Sequence, residues 1–235
     1  MRTVTVALIA LLAAGMLRAQ RVPFTSSDAA DAAERISGHR AHMTGEIHRL
    51  AGTRVVGPAV TLRIVRDDNA SLLDEGLKAI KLVEDAPPGA VIVACLEGDK
   101  DFAVFGATFA TLAKSRRLGG FVVDGGMRGL ADLRRIGVPV FARSAVPGSA
   151  GGHYRLEQSQ TTVRCGGTDV APGDLVVADD DGVSIVPKAI RAEAVAKATA
   201  LRREKDAMLP LIAKHRSYTK AVEEYRRQTA ATGKP

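Results

Sequence analysis

Tryptophan is absent from the 235 residues, and the other aromatics stop at six phenylalanines and three tyrosines. An aromatic platform for stacking the bases of single-stranded nucleic acid is therefore not expected. Cysteine is almost as scarce. Cys95 and Cys165 are the only two, which excludes a multi-bridge disulfide framework and leaves a single bridge open. Cys95 falls in a continuous apolar strand, Ala90 to Leu96, and reads as an inert core thiol. Apolar runs of membrane-spanning length are also missing. The longest, Val4 to Leu17, carries a threonine and a glycine and falls short of the ~20 residues that a spanning helix needs. Ligand sets of known metal spacing do not occur. His39, His42 and Glu46 fall at i, i+3 and i+7 on a continuing helix and read as a solvated face. Asp179-Asp180-Asp181 lacks the alternating ligands and distal glutamate of a calcium loop, and with Gly182 it reads as a hairpin turn.

What is present suits one α/β domain with terminal extensions: 46% hydrophobic and 25% charged residues in a chain long enough to bury a core. The formal charge is +7, but the pairs Arg116-Arg117, Arg134-Arg135, Arg202-Arg203 and Arg226-Arg227 lie in different elements. They form no phosphate-tracking stripe, and no nucleic-acid partner is expected. Met1 to Ala19 reads as a secretory signal: Arg2, the short apolar run, then Ala19 before a cut. The alternatives are an uncleaved anchor or a start codon placed too early. Export to the periplasm or medium follows from the first reading, with no membrane attachment after cleavage.

Along the chain, Ser27 is expected to cap a helix over Asp28 to Ile36. Val56 to Ile64 alternates as a half-buried strand, with Val56, Val60, Leu62 and Ile64 to one side. Asp67-Asp68-Asn69 makes a turn. Ser71 then caps a helix whose apolar face is Leu72, Gly76, Ala79, Ile80 and Val83. Thr161 to Arg164, Leu175 to Ala178 and Val183 to Val186 read as short strands. Two helical patterns close the chain, Ala189 to about Ala207 with Ile190, Ala194, Ala198 and Leu201 inward, and Leu209 to Gln228 after Pro210. A signal peptide over 1–19, a core domain over 20–207 and a helical extension over 208–235 follow.

The stretch Phe105 to Arg143 organises the rest. A helical pattern from Ala107 to Leu118 follows Gly106, and Gly119-Gly120 stops it. Phe121-Val122-Val123 is a buried strand that ends at Asp124 and spills into Gly125-Gly126-Met127-Arg128-Gly129. Loops at the ends of such units are where an α/β scaffold carries its chemistry. This stretch resembles the signature region of the RraA-like family, which includes the 4-hydroxy-4-methyl-2-oxoglutarate (HMG) aldolases. Gly106, Asp124, Gly125, Arg128 and the run Pro139 to Arg143 match. Asp68-Asn69, Pro172-Gly173-Asp174 and Asp181-Gly182-Val183 extend the likeness over about residues 30 to 205. Ala107 stands where the family has an acid, and Gly129 where it has the metal-binding aspartate.

The resemblance implies a swivelling β/β/α domain of α/β class and a homotrimer. It also implies a lyase dependent on Mg2+ or Mn2+ that cleaves a carbon–carbon bond of a small 2-oxo acid through a pyruvate enolate, as an HMG aldolase or oxaloacetate decarboxylase. Arg128 takes the catalytic part, with its planar, permanently charged fork on the substrate oxygens. Gly106, Ala107, Thr108 and Phe109 offer backbone amides to the carboxylate at a helix start. Asp124 and Asp132 are the nearest replacements for the missing metal ligand, and Glu204 for the acid that the family supplies from an adjacent subunit. The alternatives are a non-catalytic 2-oxo-acid binder and a protein-interaction regulator, as the family's regulator of ribonuclease E is.

Overall fold

A computed structural model describes residues 22–232, so the signal segment 1–19 lies outside the described residues. One mixed sheet runs through the molecule. Its strands are β1 (His48–Ala51), β2 (Val55–Arg66), β3 (Val91–Cys95), β5 (Gly120–Met127), β6 (Val140–Ala145), β10 (Leu175–Asp179) and β11 (Gly182–Val186), in the order β1-β6-β5-β3-β2-β10-β11. β4 (Ala103–Phe105) pairs with the end of β5 and β7 (Tyr154–Ser159) with the end of β2. β2, β3, β5 and β6 are parallel neighbours. Their crossovers carry α2 (Leu72–Asp85), α3 (Ala107–Ser115) and α4 (Leu130–Ile136) on one face. A separate hairpin, β8 (Val163–Cys165) with β9 (Thr168–Val170), covers the opposite face. A third apolar cluster sets α1 (Ser26–Ser37) and α5 (Arg191–His215) on β10 and β11, and α6 (Tyr218–Thr232) follows α5.

The buried strands were the most legible. β3 is buried at every position, as a parallel strand covered on both faces must be. Asp179 pairs with Gly182 across the hairpin turn. Several expectations need correction. β2 is longer than Val56 to Ile64 and central, so Ala59 and Thr61 are buried along with the opposite face. Helix α1 starts one residue after Thr25, and Thr25 rather than Ser27 caps it, in a box completed by Asp28. It ends at Gly38 in the left-handed region, so His39, His42 and Glu46 share no helix face. His42 pairs instead with Glu34 at 2.7 Å, and Glu46 with Lys100 and Arg143. Helix α3 stops at Ser115 rather than Leu118. The two closing helices do not break at Pro210: α5 runs through it to His215 and turns at Arg216. A proline inside a helix forfeits one backbone bond, a cost this long exposed helix absorbs.

Asp28 illustrates how burial is balanced here. Its carboxylate is fully buried and accepts from Thr25 N at 3.0 Å and Lys205 Nζ at 2.6 Å. Burial alone would raise its pKa, but the bonds from Lys205 and Thr25 outweigh it and hold the group below its ordinary value. A depressed carboxylate contributes stability above its unfolded pKa and loses it as pH falls through the folded one. The melting-temperature gap between wild type and Asp28→Asn is therefore expected to be widest at neutral pH and to close below about pH 3.8. A gap independent of pH would refute the charged role.

Candidate functional site

Arg128 and Gly106 meet where β5 and β4 end side by side. The Arg128 amide donates to the Phe105 carbonyl at 3.1 Å, which brings the loop after β5 against the start of α3. A Cβ built on Gly106 would lie 3.1 Å from Arg128 Cγ and 3.7 Å from its Nε. Glycine is thus what lets the arginine stem lie across the helix start. Gly106 is the N-cap and offers no side-chain bond, so the first-turn amides of Ala107, Thr108 and Phe109 lack an intrahelical partner. Phe109 packs on Phe105 with ring centroids 4.7 Å apart, fixing the first turn over the core. The Arg128 side chain is exposed, and among the described residues its guanidinium makes no hydrogen bond or ion pair. A free planar cation beside open helix amides is suited in charge and geometry to an anion.

Gly129 follows in the left-handed region, φ 72°, as the N-cap of α4. The nearest atom to a Cβ built there is the Ala107 amide nitrogen, at 3.9 Å. The two positions without acids are therefore neighbours, and space stands open between them.

The model for RraA-like proteins, described as Aldolase/RraA, matches residues 26–185. The chain belongs to this family.

An RraA-like relative from Halalkalibacterium halodurans, named as a candidate 4-hydroxy-4-methyl-2-oxoglutarate aldolase, is 35% identical over 57% of this chain and 60% of its own length. One from Thermus thermophilus, named as a 4-hydroxy-4-methyl-2-oxoglutarate aldolase, is 28% identical over 57% of this chain and 77% of its own. Among solved structures, Streptomyces coelicolor RraAS2, described as an unusual member of the RNase ES inhibitor RraA protein family, aligns with a TM-score of 0.70 and 28% identity. That alignment covers 79% of this chain and 91% of RraAS2. An uncharacterised Pseudomonas syringae protein aligns at 0.77 and 25%, over 86% and 91% of the two chains. The chain spans only about three fifths of the length of the first curated relatives that it matches.

The RraA-like scaffold does not bring the expected replacements to the Gly129 position. Asp124 is buried, and both of its oxygens are committed: one to Arg143 Nε, the other to the Gly166 amide at 2.7 Å. Asp132 is half exposed and pairs with Arg135 at 2.8 Å. Glu204 is exposed on α5, which packs mainly on α1 and α6. Among the described residues no three histidines, cysteines or acids gather to hold a metal ion. The side chains present at the Arg128 loop therefore do not fit a protein-held Mg2+ or Mn2+, which needs at least one carboxylate as well as water.

Two features escaped sequence reasoning. Cys95 is not a free thiol: it is bonded to Cys165 of β8, tying the hairpin to the sheet. The second is an open groove of about 600 Å3 at the C-terminal ends of β2 and β3, lined by Arg66, Asp99, Lys100 and Tyr154 among others. The Arg66 guanidinium lies 5.2 Å from the Phe102 ring and 5.7 Å from Tyr154, and Asp68 holds it at 2.9 Å. Hydrogen bonds from Arg66 and His153 keep Asp68 below its ordinary pKa. Burial, with the bond to Asp99, pushes the Tyr154 phenol up. Arg66 and Tyr154 lie about ninety positions apart in the chain, and only strand pairing between β2 and β7 brings them together.

Proposed function

We propose that this chain binds the carboxylate of a small 2-oxo acid such as pyruvate at Arg128 and the first turn of α3, on an aldolase scaffold that lacks its own metal ligands. The unpartnered Arg128 guanidinium lying across the α3 amides carries this reading. In it the amides of Ala107 to Phe109 take one carboxylate oxygen while the arginine fork takes the carboxylate or the 2-oxo group. Lyase chemistry of the HMG aldolase or oxaloacetate decarboxylase type is the second reading, favoured by the names of the relatives. Such chemistry asks a Lewis acid to stabilise the enolate, and Ala107 with Gly129 supplies no donor for one. A regulatory role through protein contacts is the third, favoured by the description of RraAS2.

Titration calorimetry with pyruvate separates the first two. Arg128→Ala is expected to weaken binding at least tenfold, the scale of one lost charge-assisted bidentate contact of about 1.5–3 kcal/mol. Binding that survives this substitution sinks the proposed site. Pyruvate release from oxaloacetate or HMG by the wild type, stimulated by Mg2+ or Mn2+, would replace the binder with the lyase. Turnover gained only in the double variant Ala107→Asp/Gly129→Asp would mark the metal step as lost while the site persists.

We further propose that the protein is exported, a reading supported by the Cys95–Cys165 bridge, because such bonds persist in oxidising compartments. A homotrimer, as the family resemblance implies, is also part of the reading. Among the described residues no helix is long and apolar enough to cross a membrane.

A further inference from the structure

Charge is unevenly spread along this chain. Residues 22–190 carry nineteen lysines and arginines against twenty-one aspartates and glutamates, a formal −2. Residues 191–232, which make α5, the turn after it and α6, carry ten against five, a formal +5. Two arginine pairs from separate elements, Arg202-Arg203 and Arg226-Arg227, thus stand on two helices packed against each other. α6 has no other sizeable packing partner. Lys214 and His215 of α5 clip Glu224 of α6, the lysine at 2.9 Å, so the pair forms one arm held in shape.

Several cations of this arm are uncommitted. Arg202 is taken by Asp206, Lys205 by Asp28 and Lys214 by Glu224. Arg203, Arg216, Lys220, Arg226 and Arg227 are exposed and have no side-chain partner among the described residues. Two large apolar side chains face solvent on the same arm. Leu209 is 59% exposed in the last two turns of α5, and Tyr218 is 69% exposed at the first position of α6. Helix α2 gives the contrast. Of the face expected to turn inward, only Ala79 and Val83 are buried, and Leu72, Leu73 and Leu77 are exposed. There Lys78 is taken by Glu75 and Lys81 by Asp85. The charges left without side-chain partners among the described residues, Asp74 and Glu84, are negative.

We propose that the α5–α6 arm seats this protein on an anionic phospholipid surface. Its free cations meet the headgroup phosphates, and Leu209 and Tyr218 enter the boundary between headgroups and acyl chains. A tyrosine suits that boundary because its ring is apolar and its hydroxyl stays wet. Nucleic acid offers the same phosphates but gives an aliphatic side chain such as Leu209 nothing to enter. Among the described residues no helix is long and apolar enough to cross a membrane, so the attachment is peripheral and reversible. It is separate from the leader, whose removal leaves the arm intact, and independent of what Arg128 binds.

Co-sedimentation of the mature protein, beginning after Ala19, with phospholipid vesicles tests this. Binding to vesicles rich in phosphatidylglycerol is expected to exceed binding to phosphatidylcholine at least tenfold. It should fall steeply between about 0.1 and 1 M salt, as the Debye length shrinks from about 10 to 3 Å. Lys220→Glu/Arg227→Glu should weaken binding at least tenfold. Arg116→Glu/Arg117→Glu, the same charge change beyond the C-terminal end of α3, should leave it near wild type. Leu209→Ser should weaken it, whereas Leu73→Ser/Leu77→Ser should not. Every side chain replaced is exposed, so melting temperatures should stay at the wild-type value. The chain has no tryptophan, so Tyr218→Trp places a single reporter on the arm, and its emission should shift to the blue on anionic vesicles alone. Equal binding to both lipids, binding indifferent to the charge reversal on the arm, or a reporter whose emission does not move overturns the proposal. So does an arm that binds single-stranded RNA or a second copy of the chain but no vesicles.

Discussion

Replacing Cys95 and Cys165 together by alanine is expected to lower the unfolding free energy by roughly 4 kcal/mol, the chain-entropy value for a bridge closing a loop of this length. The two cysteines are 70 residues apart in sequence, with Cα atoms 5.4 Å apart. The bridge also joins elements of very different staying power. β3 lies in the middle of the parallel strands, whereas β8 and β9 are three-residue strands that pair only with each other. A hairpin that short is not stable alone, so the bond to β3 is its covalent tether. Urea unfolding without reductant should show the midpoint of the double variant well below that of wild type. With reductant the two curves should converge. Coincident curves under both conditions would mean that the cysteines are not joined in the folded protein.

Arg143→Ala is expected to cost about as much, about 3–5 kcal/mol, the range for removing one partner of a buried ion pair. Arg143 and Asp124 have side chains only 12% and 6% exposed. Without the guanidinium the Asp124 carboxylate keeps the Gly166 amide, 2.7 Å away, but no cation. Gly166 follows Cys165, so this carboxylate and the bridge secure the same hairpin from adjacent positions. The two losses should therefore be less than additive when combined. Glu46 also pairs with Arg143 but is half exposed, and Glu46→Ala should shift the midpoint little. Chemical denaturation of Arg143→Ala, Glu46→Ala and the Arg143→Ala/Cys95→Ala/Cys165→Ala combination checks the ordering. An Arg143→Ala protein as stable as wild type would remove the pair from any structural role.

The sequence was most readable where a pattern is local. The apolar run of β3, the Asp179 to Gly182 turn and the Ser71 cap all depend on residues within one element, and all are found in place. The meeting of Gly106 with Arg128 was legible through the family likeness. Its physical basis, a glycine that admits the arginine stem, is visible only in three dimensions. Partners chosen across the fold left no such trace. Nothing near Asp124 announces Arg143 or the Gly166 amide, so a carboxylate at a strand end could be read as free to turn toward a metal. Cys95 looked like a core thiol because its neighbours are apolar, and its partner lies on a hairpin far along the chain. Helix α2 misled for another reason. Its apolar residues are too many for one face, and periodicity cannot tell which stripe the sheet will take. Pro210 marked a break that the backbone does not make, since a helix tolerates one missing bond where its outer side is open.

The left-handed backbone at Gly129 bears on the evolutionary history of the site. Aspartate is among the few residues that enter this conformation at modest strain, and open space surrounds the missing side chain. Some glycine codons are also one base from an aspartate codon. Loss and recovery of the acid are thus neighbouring steps in mutational space, and neither requires the loop to be rebuilt. Glycine and aspartate can therefore replace one another at this position while the fold stays still.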